Sequence, residues 1–179
     1  MNYLLEKVNL KGMNTLKNFS NFKKKEIRIS LSLEQDYNQD ELVVFFTPYF
    51  SVNEHLEGAV FELYKSANHY YLQDWISKLE CDIHNTDNSP EYVEIVSFIT
   101  WNKQRDKGYG SLLLREFLKC MEDVTKKSKG NITIFGELRK IDEVDENNHQ
   151  RRDHVYQKFG FELDYRTRKL ARIVTKEIK

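Results

Sequence analysis

The hydrophobic positions first fall into a strict period of two at Ile27, Ile29, Leu31 and Leu33, which alternate with Arg28, Ser30 and Ser32 and predict a half-buried strand. Upstream, Leu5, Val8, Leu16, Phe19 and Phe22 stand at loosely helical intervals broken by Gly12, and predict one or two short helices in an N-terminal extension over 1–25. After a polar turn at 35–40, residues 42–50 and 57–64 read as two further strands, so the first half of the chain is expected to form an antiparallel meander. Residues 70–79 fit either element. Tyr71, Leu72, Trp75, Ile76 and Leu79 make a helical face, whereas Tyr70, Leu72 and Trp75 suit a strand. Residues 84–90 are rich in Asn, Asp and Ser and predict a polar loop.

The segment 92–100 is the most strand-like. Val93, Ile95 and Ile99 are expected on one face and Tyr92, Val96 and Phe98 on the other, which predicts a central strand covered on both sides. Glu94 interrupts it, and a carboxylate in such a strand must be paired, open to a cavity or kept protonated by desolvation. Next come Gly108 and Gly110, then Leu113, Leu114, Phe117, Leu118, Met121 and Val124 at spacings of three and four: a helix with one apolar face, ending over 126–130. Residues 131–138 predict the following strand, and a strand, crossover helix and parallel strand should be right-handed. An acidic loop at 142–146 precedes a helix capped by Asn147 or Asn148 and stopped by Gly160. Strands at 161–165 and 171–178 complete an α/β chain built on a mixed sheet.

The length of 179 residues and 40% apolar content suit one domain over 1–179 with a substantial core. Lys plus Arg and Asp plus Glu balance at 28 each, which argues against a nucleic-acid partner held by a global basic field, although Arg151, Arg152, Arg166, Arg168 and Arg172 could form a local patch. The longest apolar run, 42–46, falls far short of the roughly 20 residues of a membrane helix, and no signal-peptide pattern opens the chain; a cytoplasmic protein without a membrane partner is expected. Cys81 and Cys120 have neither metal-ligand nor disulfide-scaffold spacing, and no metal is expected.

Two glycines at a strand-to-helix turn, with Arg105 and Lys107 beside them, predict an anion cradle. The first helical N–H groups have no intrahelical acceptor, and the absence of a Cβ lets an anion approach them. No P-loop run is present, and position 113 is Leu where a dinucleotide fingerprint needs Gly. Arg105-x-x-Gly108-x-Gly110 resembles the coenzyme A pyrophosphate loop of the GNAT acyltransferase superfamily, and Tyr156-Gln-Lys-Phe-Gly160-Phe161 resembles the Tyr-x-x-x-Gly-Phe ending of that family's later helix. Glu94-Ile95-Val96 is similar to the run that carries a glutamate in the histone-acetylating branch. His149 and Arg152 stand where many members have Asn and Ala, with an asparagine displaced to Asn148.

The resemblance implies a GNAT-like fold: an antiparallel N-terminal meander, a central strand–helix–strand coenzyme A site, and a C-terminal helix with two strands. It implies acetyl-CoA as acyl donor, its diphosphate on Arg105, Asp106, Lys107, Gly108, Tyr109, Gly110 and Ser111, and its pantetheine arm along Phe98, Ile99 and Thr100, with Asn148 as a further contact. Tyr156 is the candidate general acid and Glu94 the candidate base for direct transfer to a primary amine. Each has a plainer alternative: a core tyrosine with a bonded hydroxyl, and a carboxylate paired at the sheet surface. Two other functions stay open, an inactive acyl-CoA-binding module and a toxin-like acetyltransferase of aminoacyl-tRNA. Exposed C-terminal edge strands leave room for a homodimer.

Overall fold

The computed structural model describes residues 41–50, 56–67, 70–71, 75–86, 89–140, 144 and 146–176. The helices expected within 1–25, the strand at 27–33, the turn at 35–40 and most of the acidic loop lie outside the described residues.

Among the described residues, eight strands and two α-helices follow in the order β1 (Glu41–Phe50), β2 (Leu56–Ala67), β3 (Tyr70–Tyr71), β4 (Ser77–Thr86), β5 (Ser89–Thr100), α1 (Tyr109–Lys127), β6 (Ile132–Glu137), α2 (Glu146–Lys158), β7 (Glu162–Asp164) and β8 (Lys169–Val174). They form one sheet of order β1-β2-β4-β5-β6-β8-β7, with β3 on β2. The first four strands of that path are antiparallel, β5 and β6 are parallel across α1, and the last pairs are antiparallel again. This is the mixed α/β sheet expected from the chain, with an antiparallel N-terminal meander and a strand–helix–strand unit at its centre.

The core lies between α1 and one face of the sheet. Leu113, Leu114, Phe117, Leu118, Met121 and Val124 are buried against a face that includes Phe61, Leu79, Cys81, Val93 and Ile95. Phe117 meets Phe61 edge-on, with centroids 5.4 Å apart. The helix stripe is a direct consequence of the three-and-four spacing, since those side chains recur on one side of a 3.6-residue turn.

Three expectations are corrected. Residues 77–86 form a strand, so the ambiguous segment ends as the start of β4, and most of the loop expected at 84–90 is paired backbone, with Asn85 opposite Pro90 and Thr86 opposite Ser89. The buried positions Leu79, Cys81 and Ile83 alternate with outward Lys78, Glu80 and Asp82, the period of two of a half-buried strand. The final strand, expected at 171–178, begins earlier and runs over Lys169–Val174; residues 175–176 lie beyond it, and 177–178 are outside the described residues.

The third correction concerns β5. Glu80 pairs with Ser97 but Cys81 pairs with Ile95, so Val96 is an extra residue, a bulge. One inserted residue reverses the alternation beyond it. Phe98 therefore pairs with Leu79 and joins the face of Val93 and Ile95, while Ile99 turns to the face of Glu94. That second face was expected to be covered, yet Tyr92, Val96 and Ile99 are exposed.

Candidate functional site

The bulge opens the sheet. Pairing of β5 with β6 runs from Tyr92↔Thr133 to Ile95↔Gly136 and stops there, whereas β5 stays paired to β4 as far as Thr100. From the bulge onward one backbone edge of β5 is released from β6. Arg139 enters this wedge, its Nη2 donating to the Val96 carbonyl at 3.0 Å.

Beyond Thr100 a 3-10 turn, Asn102–Gln104, leads to α1. Gly108 is the N-cap residue at φ 80°, a left-handed conformation that favours glycine. The first helical bond is Leu112 N–H to the Gly108 carbonyl at 2.9 Å, so the N–H groups ahead of Leu112 have no acceptor inside the helix. Gly108 supplies no side-chain cap and the first turn carries no acidic residue, leaving the positive end of the dipole uncompensated. A Cβ built on Gly108 would meet nothing within 4 Å, so the cradle opens to solvent. A Cβ on Gly110 would lie 3.0 Å from Thr100 Oγ1 and 3.5 Å from Phe98 Cζ, so this glycine lets α1 close onto the end of β5. Ser77 braces that end, its hydroxyl 2.9 Å from Thr100 Oγ1 and donating to the Ile99 carbonyl at 3.1 Å.

The cradle's cations are oriented by its own backbone and side chains. Arg105 Nε donates to the Thr100 carbonyl at 3.3 Å, and Lys107 Nζ donates to Gln104 Oε1 at 3.1 Å. Asp106, at φ 61°, turns its carboxylate to Arg151 of α2, 3.3 Å away. Tyr109 is buried under the loop and Ser111 is half-buried.

Tyr156 reaches the same region from α2. Its ring is 6.0 Å from that of Phe98 and 5.3 Å from that of Phe161. The helix end explains half of the motif. Phe161 N–H bonds the Tyr156 carbonyl at 3.1 Å and Gly160 N–H the Gln157 carbonyl at 2.9 Å, with Gly160 at φ 75°. That is a Schellman stop with its customary apolar contact, here Tyr156 on Phe161. Packing accounts for the ring and the glycine, and phenylalanine would serve the cap as well as tyrosine.

Phe98, Thr100, the loop 105–111 and Tyr156 thus come together around the wedge. Glu94 lies on the bordering strand but on the opposite face, with His84 Nε2 3.6 Å from its carboxylate and the His84 ring stacked 6.3 Å from Phe135. Asn148 is half-buried on the first turns of α2. His149 and Arg152, which stand where many members of the superfamily have Asn and Ala, are tied to Asp153, at 2.7 and 2.8 Å. Asp153 is 7% exposed and is not singled out by the sequence motifs, although its i, i+4 spacing from His149 is a signal for the pair. Arg139 has no local signal at all. The Trp75 ring lies tilted against that of Trp101, with centroids 5.2 Å apart. A hollow of about 420 Å³ lined by His149, Gln150, Asp153, His154, Gln157 and Tyr165 contains no cradle residue. Among the described residues no group of His, Cys, Asp and Glu could hold a metal ion, and no helix is long and apolar enough to cross a membrane.

The fold and site together define a strand–helix–strand unit with an uncapped, glycine-lined helix start beside a splayed strand. No protein-family model matches the chain, and no curated protein matches its sequence. Among solved structures it is similar to the crystal structure of AtaTR bound with AcCoA, at 13% identity over 65% of this chain and 68% of that one, TM-score 0.46. It is also similar to the acetyltransferase of GNAT family from Streptococcus pneumoniae, at 12% identity over 66% and 67%, TM-score 0.45. A third is the KacTA–DNA complex, at 14% identity over 66% and 69%, TM-score 0.46. What the chain does has to be argued from its own residues.

Proposed function

We propose that the protein is an acetyl-CoA-dependent N-acetyltransferase that transfers the acetyl group directly to a primary amine. The observation that carries this is the continuity of the wedge with the cradle: β5 loses its β6 partner after Ile95 and then runs to the uncapped, glycine-lined start of α1. An extended arm with amides can pair with the freed edge over 96–100 as an added strand would, while a diphosphate sits on the N–H groups of 108–111 with Arg105 and Lys107 beside it. The open space over Gly108 fits such a group.

In the transfer, the neutral amine forms the N–C bond as the C–S bond breaks. An alkyl ammonium has an ordinary pKa of about 10.4, so the amine must shed a proton before or during attack. Glu94, held by His84, is the proposed acceptor of that proton through water, and the Tyr156 phenol the proposed donor to the departing thiolate. Asn148 is proposed as a side contact to the arm. Neither motif contains a cysteine, which supports direct transfer over an acetyl-enzyme.

The test is binding and turnover measured separately. Acetyl-CoA should raise the melting temperature at micromolar concentration, and Gly108→Trp, which fills the open cradle, should abolish the rise; no rise in the unaltered protein sinks the proposal. Tyr156→Phe should lower turnover by about 100-fold or more with coenzyme A affinity within about twofold, since it removes only the proton donor. Unchanged turnover would remove Tyr156 from the chemistry.

A further inference from the structure

We infer that Arg151 is an anion ligand on the far side of the α1 cradle, and that Asp106 occupies its guanidinium until the anion arrives. The inference rests on the donor-site proposal above and assigns a role that neither motif contains. Asp106 is the single carboxylate in the loop 104–111, and it stands beside a helix start that otherwise favours negative charge. It caps nothing on that helix. Its partner is Arg151 Nη1, 3.3 Å from Oδ2, and the two side chains are 35% and 64% exposed for Arg and Asp respectively, so burial does not force them together.

Arg151 is a cation with capacity left. Arg105 and Lys107 each spend one donor on Thr100 and Gln104 and keep others for the anion; Arg151 likewise spends Nη1 on Asp106, while its Nε is buried and makes no hydrogen bond. A guanidinium that touches a carboxylate by one nitrogen, with a second donor unused, gains by moving to a phosphate that accepts two parallel bonds. Exchange also frees the exposed Asp106 carboxylate to water at little cost, since surface ion pairs are weak. The diphosphate would then be gripped from two elements: by the loop and first turn of α1, and by α2, the helix that bears Tyr156. A ligand that ties these two together also fixes the distance between the donor cradle and the proposed acid.

Isothermal titration with coenzyme A tests this without any transfer reaction, using the unaltered protein, Arg151→Gln, Asp106→Asn and the double variant. Asparagine is the apt replacement because it tolerates left-handed φ as aspartate does, so only the charge is removed. Arg151→Gln should weaken binding about tenfold, the scale of one charge-assisted phosphate contact. Asp106→Asn should tighten it about threefold, because Arg151 no longer has to be released. Opposite signs support competition only if the Asp106→Asn gain vanishes in the Arg151→Gln background; a gain that persists there is plain charge repulsion and overturns the inference. If the pair is merely a brace for the loop, both weaken binding, and that result overturns the inference, as does an Arg151→Gln affinity within twofold of the original. Should the unaltered protein fail to bind coenzyme A at all, the donor-site proposal falls first and takes this one with it. Unfolding midpoints of the unliganded variants show whether each has kept its fold.

Discussion

Gly58 offers the sharpest test of the sheet that carries the site. It sits on β2 opposite Tyr49 of β1 and Asp82 of β4. The Tyr49 ring lies over the glycine and its hydroxyl donates to the Cys81 carbonyl at 2.9 Å and to Asp82 Oδ1 at 3.2 Å. A Cβ at Gly58 would stand 2.3 Å from Tyr49 Cε2 and 2.4 Å from the Cys81 carbonyl oxygen. The ring can swing away, but only by giving up both hydrogen bonds, at about 1–3 kcal/mol. The carbonyl belongs to the paired backbone of β4 and can move only with its strand, an overpacking cost of about 1–3 kcal/mol. Gly58→Ala should therefore destabilise by about 3 kcal/mol, which for a chain of this size lowers the melting temperature by about 6–12 °C. Urea denaturation of Gly58→Ala, Tyr49→Ala and the double variant checks the cause. The double variant should cost less than the sum, because the ring clash is gone while the carbonyl clash remains. A Gly58→Ala protein within about 0.5 kcal/mol of the original would refute the close approach of β1, β2 and β4 on which the calculation rests.

Two further outcomes follow from buried ionisable groups. Asp153 is held by His149 and Arg152 and is almost fully buried, so Asp153→Ala leaves Arg152, itself 12% exposed, without its carboxylate; a loss of about 3 kcal/mol in urea denaturation is expected, and a loss under about 1 kcal/mol would show that the pair is not structural. Burial pushes the Cys81 thiol up from 9.0 to about 12, so the folded chain keeps a proton that the unfolded chain releases. The corresponding stability is fully present below about pH 9 and drains away as the pH rises toward 12, and Cys81→Ala should flatten urea midpoints measured from pH 8 to pH 11. An equal slope in both proteins would assign the alkaline loss to other groups.

Much of the donor side is legible in the amino-acid sequence, because its signals are local. The stripe from Leu113 to Val124 can only be a helix face, and Gly108 and Gly160 mark positions where the backbone turns left-handed. A motif of six residues suffices when the chemistry it encodes is main-chain geometry at one helix end. The strand over 77–86 straddles the ambiguous segment 70–79 and the Asn- and Asp-rich stretch 84–90, and only pairing on both sides shows that its polar backbone is satisfied within the sheet.

What the chain alone determined is thus the inventory: period-two runs, one amphipathic helix, a glycine cradle and a tyrosine before a helix stop. Tertiary structure decided where these face. One extra residue, Val96, moves Phe98 to the α1 side and Ile99 to the face of Glu94, and no periodicity in 92–100 announces it, since a bulge is defined by the register of the neighbouring strand. The same holds for Arg151 and Asp106. They are 45 residues apart and meet only because α2 packs back beside the start of α1, so the contact that gives the loop its far-side cation belongs to the fold.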